Sequence, residues 1–150
     1  MATFPEFGKY VCHGDAVRVS VDGFDCTARI YHDYCQDKPD ERDCGFWPSL
    51  DPKSAGYIGP KSPRTLARHM AKAQAIMAAW KNDEWAYCGV VVTVRKNDVQ
   101  LVEKYNNVAL WGIEYNYPGS DNSYLSEVAD ELLPEALSQA RDAINKLVGA

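Results

Sequence analysis

Histidine and cysteine side chains fall close together at two places in the N-terminal third of the chain. His32 and Cys35 are three residues apart, with Cys44 downstream, and Cys12 directly precedes His13. Imidazole nitrogens and thiolates are ligands that zinc prefers, and a thiol beside an imidazole is the pair that cysteine enzymes use. The segment with His32, Cys35 and Cys44 is therefore the candidate for a metal-dependent or cysteine-dependent activity.

The spacing of these residues argues against both activities. It does not form a paired Cys-x-x-Cys knuckle, and the three histidines of the chain supply no second close pair to complete a tetrahedral zinc site. No glycine run suited to an oxyanion hole precedes Cys35 or Cys44. Phosphate-binding glycine loops and dinucleotide fingerprints are absent from the sequence. The sequence thus favours a protein with no catalytic residue, no metal and no cofactor.

The composition is that of an ordinary globular chain. It has 150 residues, 46% hydrophobic and 25% charged, which predicts a single domain over residues 1–150. The 16 Lys and Arg against 21 Asp and Glu give a formal charge of −5, which argues against direct nucleic-acid binding. The 5 cysteines, an odd number, fit free thiols in a reducing compartment. Without a secretory signal or a bilayer-spanning apolar stretch, we expect a soluble cytoplasmic protein with no membrane partner.

Alternating or continuous runs of strand-forming residues predict five β-strands. Ala16–Val21 and Phe24–Tyr31 alternate on either side of Asp22-Gly23, which predicts an N-terminal hairpin. The strand that begins at Tyr87 has nearly continuous valines, which favours a central position in a sheet. The three further strands are predicted over Tyr87–Arg95, Val99–Glu103 and Val108–Tyr115.

Two segments have the apolar spacing of helices. The first is Pro63–Asn82, with Ser62 as N-cap and one apolar stripe from Leu66 to Trp80. The second begins with Ser123 as N-cap and contains Pro134, which predicts a kink or two abutting helices. The order of elements predicts an α+β fold, in which an antiparallel sheet of the N-terminal hairpin plus three central strands is packed by two helices.

A long irregular loop is predicted between the hairpin and the first helix. Residues 34–63 lack apolar periodicity, which is typical of a lid or binding loop, with disorder as the competing interpretation. Phe46 and Trp47 are its candidate partner-binding residues, because loop aromatics either pin a loop to its own domain or anchor an interface. The tryptophans expected in the core, because they fall in regular elements, are Trp80, Trp85 and Trp111.

Charge is distributed unevenly between the two helices. Six basic residues and no acidic ones lie between Pro52 and Asn82, whereas six acidic residues and no basic ones lie between Trp111 and Ala140. One interpretation is that the helices lie side by side and their charges face each other or water. The other is an acidic face that competes for a basic groove on another macromolecule. The candidate partner-binding carboxylates of the second helix are Glu127, Asp130, Glu131 and Glu135.

Several segments of the chain carry a resemblance to known sequences. These segments are Thr27–Ile30 with Asp33, Trp80–Val92, Ala109–Glu114, and Asn122–Leu125 with Glu127–Leu132. They resemble a family of small uncharacterised proteins encoded by phages, prophages and other mobile elements of proteobacteria. The resemblance covers most of the chain and brings no catalytic residue with it. It implies a non-enzymatic accessory protein that binds a host protein or protein–nucleic acid complex, a group that includes anti-CRISPR and anti-restriction inhibitors of host defence.

Two other classes of protein stay open on the sequence. The first is the enzyme or metal-binding module that uses His32, Cys35 and Cys44. The second is a self-associating structural protein, in which an exposed strand edge pairs between copies.

Overall fold

The structure, a computed structural model, describes residues 2–39 and 62–149. The chain divides into two compact units, one formed by Met1–Tyr34 with Ala86–Ala150 and the other by Cys35–Trp85. All five strands and one long helix belong to the first unit. Cys44, Phe46, Trp47 and most of the predicted irregular segment lie outside the described residues.

The first unit opens with the predicted hairpin. Strand β1, Ala16–Val21, pairs antiparallel with β2, Phe24–His32. The two residues that join them, Asp22 and Gly23, have φ angles of 51° and 81°. Both angles are those of a two-residue turn whose twist matches the strands, which is why the Asp-Gly pair predicted this hairpin.

The other three strands complete an antiparallel sheet around β3. Strand β3, Ala86–Lys96, pairs with β2 along one edge. Along its other edge it pairs with two strands in succession, first β5, Ala109–Tyr115, and then β4, Val99–Val102. The predicted central position of the valine-rich strand is therefore confirmed, as is the α+β class with its antiparallel sheet, N-terminal hairpin and two helices.

One face of the sheet forms the core of the first unit against helix α2, Ser123–Val148. Small and branched apolar side chains pair across β2 and β3 on this face and are fully buried. These pairs are Cys26 with Val94, Ala28 with Val92, and Ile30 with Val90. Burial raises the pKa of both thiols here, to about 11 for Cys26 and about 12 for Cys88, so they behave as small apolar residues.

Helix α2 differs from its prediction at two points. It continues through Pro134 as one helix, so the alternative of two abutting helices is wrong. Its N-cap is Asn122, with φ of 63°, and no side chain makes a capping bond, whereas Ser123 was the expected cap. The reason is that the Asn122 side chain binds elsewhere: it donates to Lys9 O at 2.8 Å and accepts from Asn116 N at 2.8 Å.

The N-terminal segment packs on the first unit without forming a strand. Phe4, Phe7 and Val11 are buried in the same core as α2. Their backbone N–H groups donate to distant side chains: Phe7 to Ser126 Oγ at 3.0 Å, and Val11 to Asn116 Oδ1 at 2.9 Å. These bonds satisfy backbone groups that a sheet would otherwise pair.

The second unit contains helix α1, Pro63–Lys81. It begins as predicted, with Pro63 in the first turn and Ser62 as N-cap, whose Oγ accepts the Thr65 N–H at 3.3 Å. In the predicted apolar stripe, Ala73 and Met77 are buried, and the Leu66 side chain lies outside the described residues. Trp85 is also buried, and its indole N–H donates to Ile76 O at 2.8 Å. Neither helix in the described ranges has the length and hydropathy needed to cross a membrane.

Candidate functional site

Three carboxylates form one exposed row along α2. Glu127, Glu131 and Glu135 follow each other at intervals of four residues, which places them on the same side of a helix. All three residues are exposed, while the opposite side of α2 packs into the core of the first unit. We call these three residues the acidic ridge. Because the core fixes the helix beneath them, the carboxylates keep a constant spacing.

The acidic ridge has no cationic partner within residues 2–39 and 62–149. The ion pair present there joins Arg141 to Asp22, with 3.3 Å between nitrogen and oxygen. Glu135 accepts one hydrogen bond, from the Gln139 side-chain amide at 3.0 Å. Like charges one helical turn apart repel by a few tenths of a kcal/mol. A cationic surface that covered the ridge would therefore relieve this repulsion.

Asp130, the fourth candidate carboxylate, lies apart from the acidic ridge. It is half-buried, and its Oδ1 accepts the backbone N–H of Phe4 at 2.7 Å. Asp130 therefore anchors the N-terminal segment to α2. The other two candidate partner-binding residues, Phe46 and Trp47, lie outside the described residues.

The His32 side chain contacts two tyrosines. Its Nδ1 lies 2.8 Å from the Tyr115 hydroxyl, and its ring centroid is 4.4 Å from that of Tyr34. Burial, followed by the neighbouring Cys88 thiol, raises the pKa of Tyr115 to about 12, so its hydroxyl keeps its proton at neutral pH. Cys35 is exposed and Cys44 lies outside the described residues. No group of three or more His, Cys, Asp or Glu suited to a metal ion occurs in the described part of the chain.

Cys12 and His13 lie beside the start of the hairpin. His13 Nδ1 accepts the backbone N–H of His32 at 2.9 Å, and the Cys12 backbone N–H donates to Asp15 Oδ2 at 2.8 Å. The Cys12 side chain is exposed. The contacts of His13 therefore order the chain at this end of the sheet.

The face of the sheet opposite α2 carries an exposed tryptophan. Trp111 in β5 lies directly over Gly89 in β3, and it is 42% exposed. Its ring centroid is 6.4 Å from that of Tyr31, and Lys104 Nζ lies 4.0 Å from the Tyr31 ring centroid. We call Trp111, Tyr31 and Lys104 the aromatic platform. An exposed indole ring with a second ring and a cation beside it can bind a planar or anionic ligand.

The sequence analysis placed Trp111 in the core, and this prediction is wrong. The pairing of β3 with β5 shifts between Cys88 and Val90, where Trp111 and Gly112 together oppose Gly89. Gly112 has a φ of 75°, as the glycine of a β-bulge does. The bulge turns Trp111 onto the face away from α2. The glycines at positions 89 and 112 were the signal for it.

Comparisons with known proteins found no match to this chain. No protein-family model, no curated protein and no solved structure matches the chain. The first unit has two exposed features that could contact a partner, the acidic ridge and the aromatic platform.

Proposed function

We propose that this chain is a non-enzymatic accessory protein, of the phage or mobile-element type, that binds a host macromolecule through the acidic ridge. The observation that supports this proposal is the exposed row of Glu127, Glu131 and Glu135, with no countercharge among the described residues. Its partner is a basic surface on a cytoplasmic host protein or protein–nucleic acid complex. Such a surface inhibits host defence by occupying a groove that nucleic acid would otherwise enter.

Fixed negative charge suits this role for a physical reason. Ridge positions four residues apart rise by about 6 Å per step, so the three carboxylates span about 12 Å along the helix. A row of that length attracts a cationic groove from a distance, which raises the rate of association and selects the orientation of docking. Such a contact weakens as salt is added, because salt screens exposed charges.

The test is a triple charge reversal, Glu127→Lys with Glu131→Lys and Glu135→Lys. The wild type and this variant are immobilised, and proteins captured from a proteobacterial lysate are quantified by mass spectrometry. The captured partner is then challenged with a DNA duplex. We expect a captured nucleic-acid-binding protein that the duplex displaces, and whose yield the triple variant reduces about 10-fold or more, as loss of close charge pairs at an interface does.

The matched control reverses three exposed acids elsewhere, Glu6→Lys with Asp37→Lys and Glu84→Lys. This control has the same net charge as the ridge variant, and the three side chains make no hydrogen bond or ion pair with the described part of the chain. The proposal predicts wild-type capture by the control. Equal loss in both variants would show that net charge alone governs capture, and equal retention would show that the acidic ridge makes no contact.

A further inference from the structure

The ring of Trp111 packs against the sheet at Gly89. Three atoms of its six-membered ring occupy the space that a Cβ on Gly89 would need. The ring therefore packs directly on the strand backbone of β3, and its other side faces outward, since Trp111 is 42% exposed. An aromatic ring held in this way is a stacking surface that needs no rearrangement to accept a flat ligand.

Tyr31 and His13 extend this surface along the end of β2. Tyr31 is paired with Gly89 in the register of the sheet, so it lies beside Trp111 on the same face. The His13 ring meets the Tyr31 ring edge-on, with 5.7 Å between the centroids. The exposed Lys104 ammonium completes the platform at 4.0 Å from the Tyr31 ring centroid. The Lys104 ammonium lies over the Tyr31 ring, so Tyr31 holds a cation beside the exposed ring of Trp111.

The same sheet face carries three arginines. Alternation along the strands places Arg18, Arg29 and Arg95 on the face of Tyr31 and Thr27. Arg29 donates to Gly14 O at 2.7 Å, which fixes its guanidinium near the start of β1. Arg29, two residues before Tyr31 on the same face, is the arginine nearest the aromatic platform, and Arg18 and Arg95 lie farther along the sheet.

Carboxylates on this face are partly engaged by other groups. Asp25 is opposite Arg95 and accepts the Ser20 hydroxyl at 2.8 Å. Asp33 is 8% exposed and accepts the Gly112 N–H at 3.0 Å. Glu114 lies at the far end of β5, opposite Tyr87. Arg29 and Lys104 therefore place two cations close to the platform, although the whole chain carries −5.

We infer that this face binds single-stranded nucleic acid, with a base stacked on Trp111 and phosphates near Lys104 and Arg29. Flat exposed rings bind bases of any sequence, and adjacent cations bind the phosphates that connect them. A duplex fits less well, because stacking within the helix already covers its base faces. The net charge predicted no direct nucleic-acid binding, but the acidic ridge lies on α2, which packs on the opposite face of the sheet. This inference goes beyond the proposed function and does not depend on it.

The test measures binding of a fluorescein-labelled oligothymidylate of about 20 nucleotides, longer than the site of a single domain. Fluorescence anisotropy at low salt gives the dissociation constant for the full-length protein. We expect saturable binding that weakens as salt is raised, and weaker binding of a duplex of the same length. Trp111→Ala should weaken binding by about 10-fold or more, and Trp111→Phe should retain most of it, because stacking needs a flat ring.

Leu110→Ala is the matched control. Leu110 neighbours Trp111 in β5 and is similarly exposed, at 47%, but it pairs with Val90 on the other face of the sheet. The Leu110→Ala variant should bind the oligonucleotide with the affinity of the wild type. Lys104→Gln changes an exposed side chain outside the core, so it tests the site even if Trp111→Ala fails to fold. We expect it to weaken binding and to reduce the dependence on salt.

Three results would overturn the inference. The first is no binding of the oligothymidylate by the wild type. The second is equal binding by the wild type and by folded Trp111→Ala, or by Lys104→Gln if the first variant is unfolded. The third is equal affinity for the duplex, which would indicate attraction of charge without stacking. Since the acidic ridge is intact in these variants, each result leaves the proposed function unaffected.

Discussion

The six-membered ring of Trp111 and the α-carbon of Gly89 are in direct contact across β5 and β3, in space that any side chain at position 89 would fill. This contact sets the position of the aromatic platform. It also explains why glycine stands in the middle of the central strand, where it is otherwise unfavourable.

Gly89→Ala should lower the free energy of unfolding by about 1–3 kcal/mol, the usual effect of forcing extra atoms into a packed site. The methyl group would push the Trp111 ring away from the sheet. Urea unfolding followed by circular dichroism measures the change.

The same substitution in a Trp111→Ala background provides the control. With the ring removed, the protein with alanine at position 89 should have a free energy of unfolding about 0.5 kcal/mol higher than the protein with glycine, because alanine restricts the unfolded chain. If Gly89→Ala destabilised both backgrounds equally, the contact with the ring would not be the cause.

Asp130 and Glu131 are adjacent in sequence but should respond differently to alanine substitution. Asp130 accepts the Phe4 N–H at 2.7 Å, and a hydrogen bond to a charged group contributes about 1.5–3 kcal/mol. We expect Asp130→Ala to lower the free energy of unfolding by roughly that amount, and Glu131→Ala to change it by less than about 0.5 kcal/mol.

Urea titration of both variants measures these changes, and limited proteolysis near Phe4 reports whether the N-terminal segment has been released. Equal stability of the two variants would contradict the anchoring role of Asp130.

Local pattern was sufficient to predict most elements of the fold. Alternation and the Asp22-Gly23 turn predicted β1 and β2, and Ser62-Pro63 predicted the start of α1. Of the four acids predicted to form one face of the second helix, Glu127, Glu131 and Glu135 are exposed on α2. Each of these features depends on residues that are close in the chain, so a periodic pattern contains the information.

Contacts between distant parts of the chain could not be predicted in this way. Asp130 was grouped with its helical neighbours, because nothing local shows that Phe4 packs beside it, 126 residues away in sequence. Trp111 was assigned to the core because its strand pattern conceals the β-bulge at Gly112. Both errors concern which face a side chain occupies, and in each case tertiary packing decides that face.

Asn122→Ala should be among the most destabilising polar substitutions. The Asn122 side chain is fully buried and donates to Lys9 O and Asn116 Oδ1, at 2.8 and 2.9 Å. Alanine would leave Lys9 O and Asn116 N without this partner, and it tolerates a φ of 63° less well than asparagine does. We expect the free energy of unfolding to fall by about 3 kcal/mol or more, measured in urea.

Asn122→Gly separates the two causes. Glycine accepts the positive φ without strain but restores none of the hydrogen bonds. It should recover about 1 kcal/mol of the loss and no more. Complete recovery by glycine would mean that the backbone angle, and not the side-chain bonds to Lys9 and Asn116, accounts for the effect.

Stability should fall at alkaline pH because of the two buried thiols. Burial raises the pKa from 9.0 to about 12 for Cys88 and to about 11 for Cys26. Above pH 9 the unfolded chain loses these protons while the folded chain keeps them, so ionisation favours unfolding. The stabilising contribution of Cys88 is therefore complete below pH 9 and declines up to about pH 12, by about 1.4 kcal/mol per pH unit.

Cys88→Ala isolates this contribution when urea unfolding is measured between pH 8 and pH 11, a range that includes the ordinary thiol pKa of 9.0. The free energy of unfolding of this variant should fall less steeply with pH than that of the wild type. The difference in slope should be close to the contribution of one ionising proton. Val92→Ala, a substitution in the same strand and on the same buried face, controls for the cavity. It should be less stable at every pH but keep the wild-type slope. Identical slopes for Cys88→Ala and the wild type would show that the Cys88 thiol does not couple ionisation to unfolding.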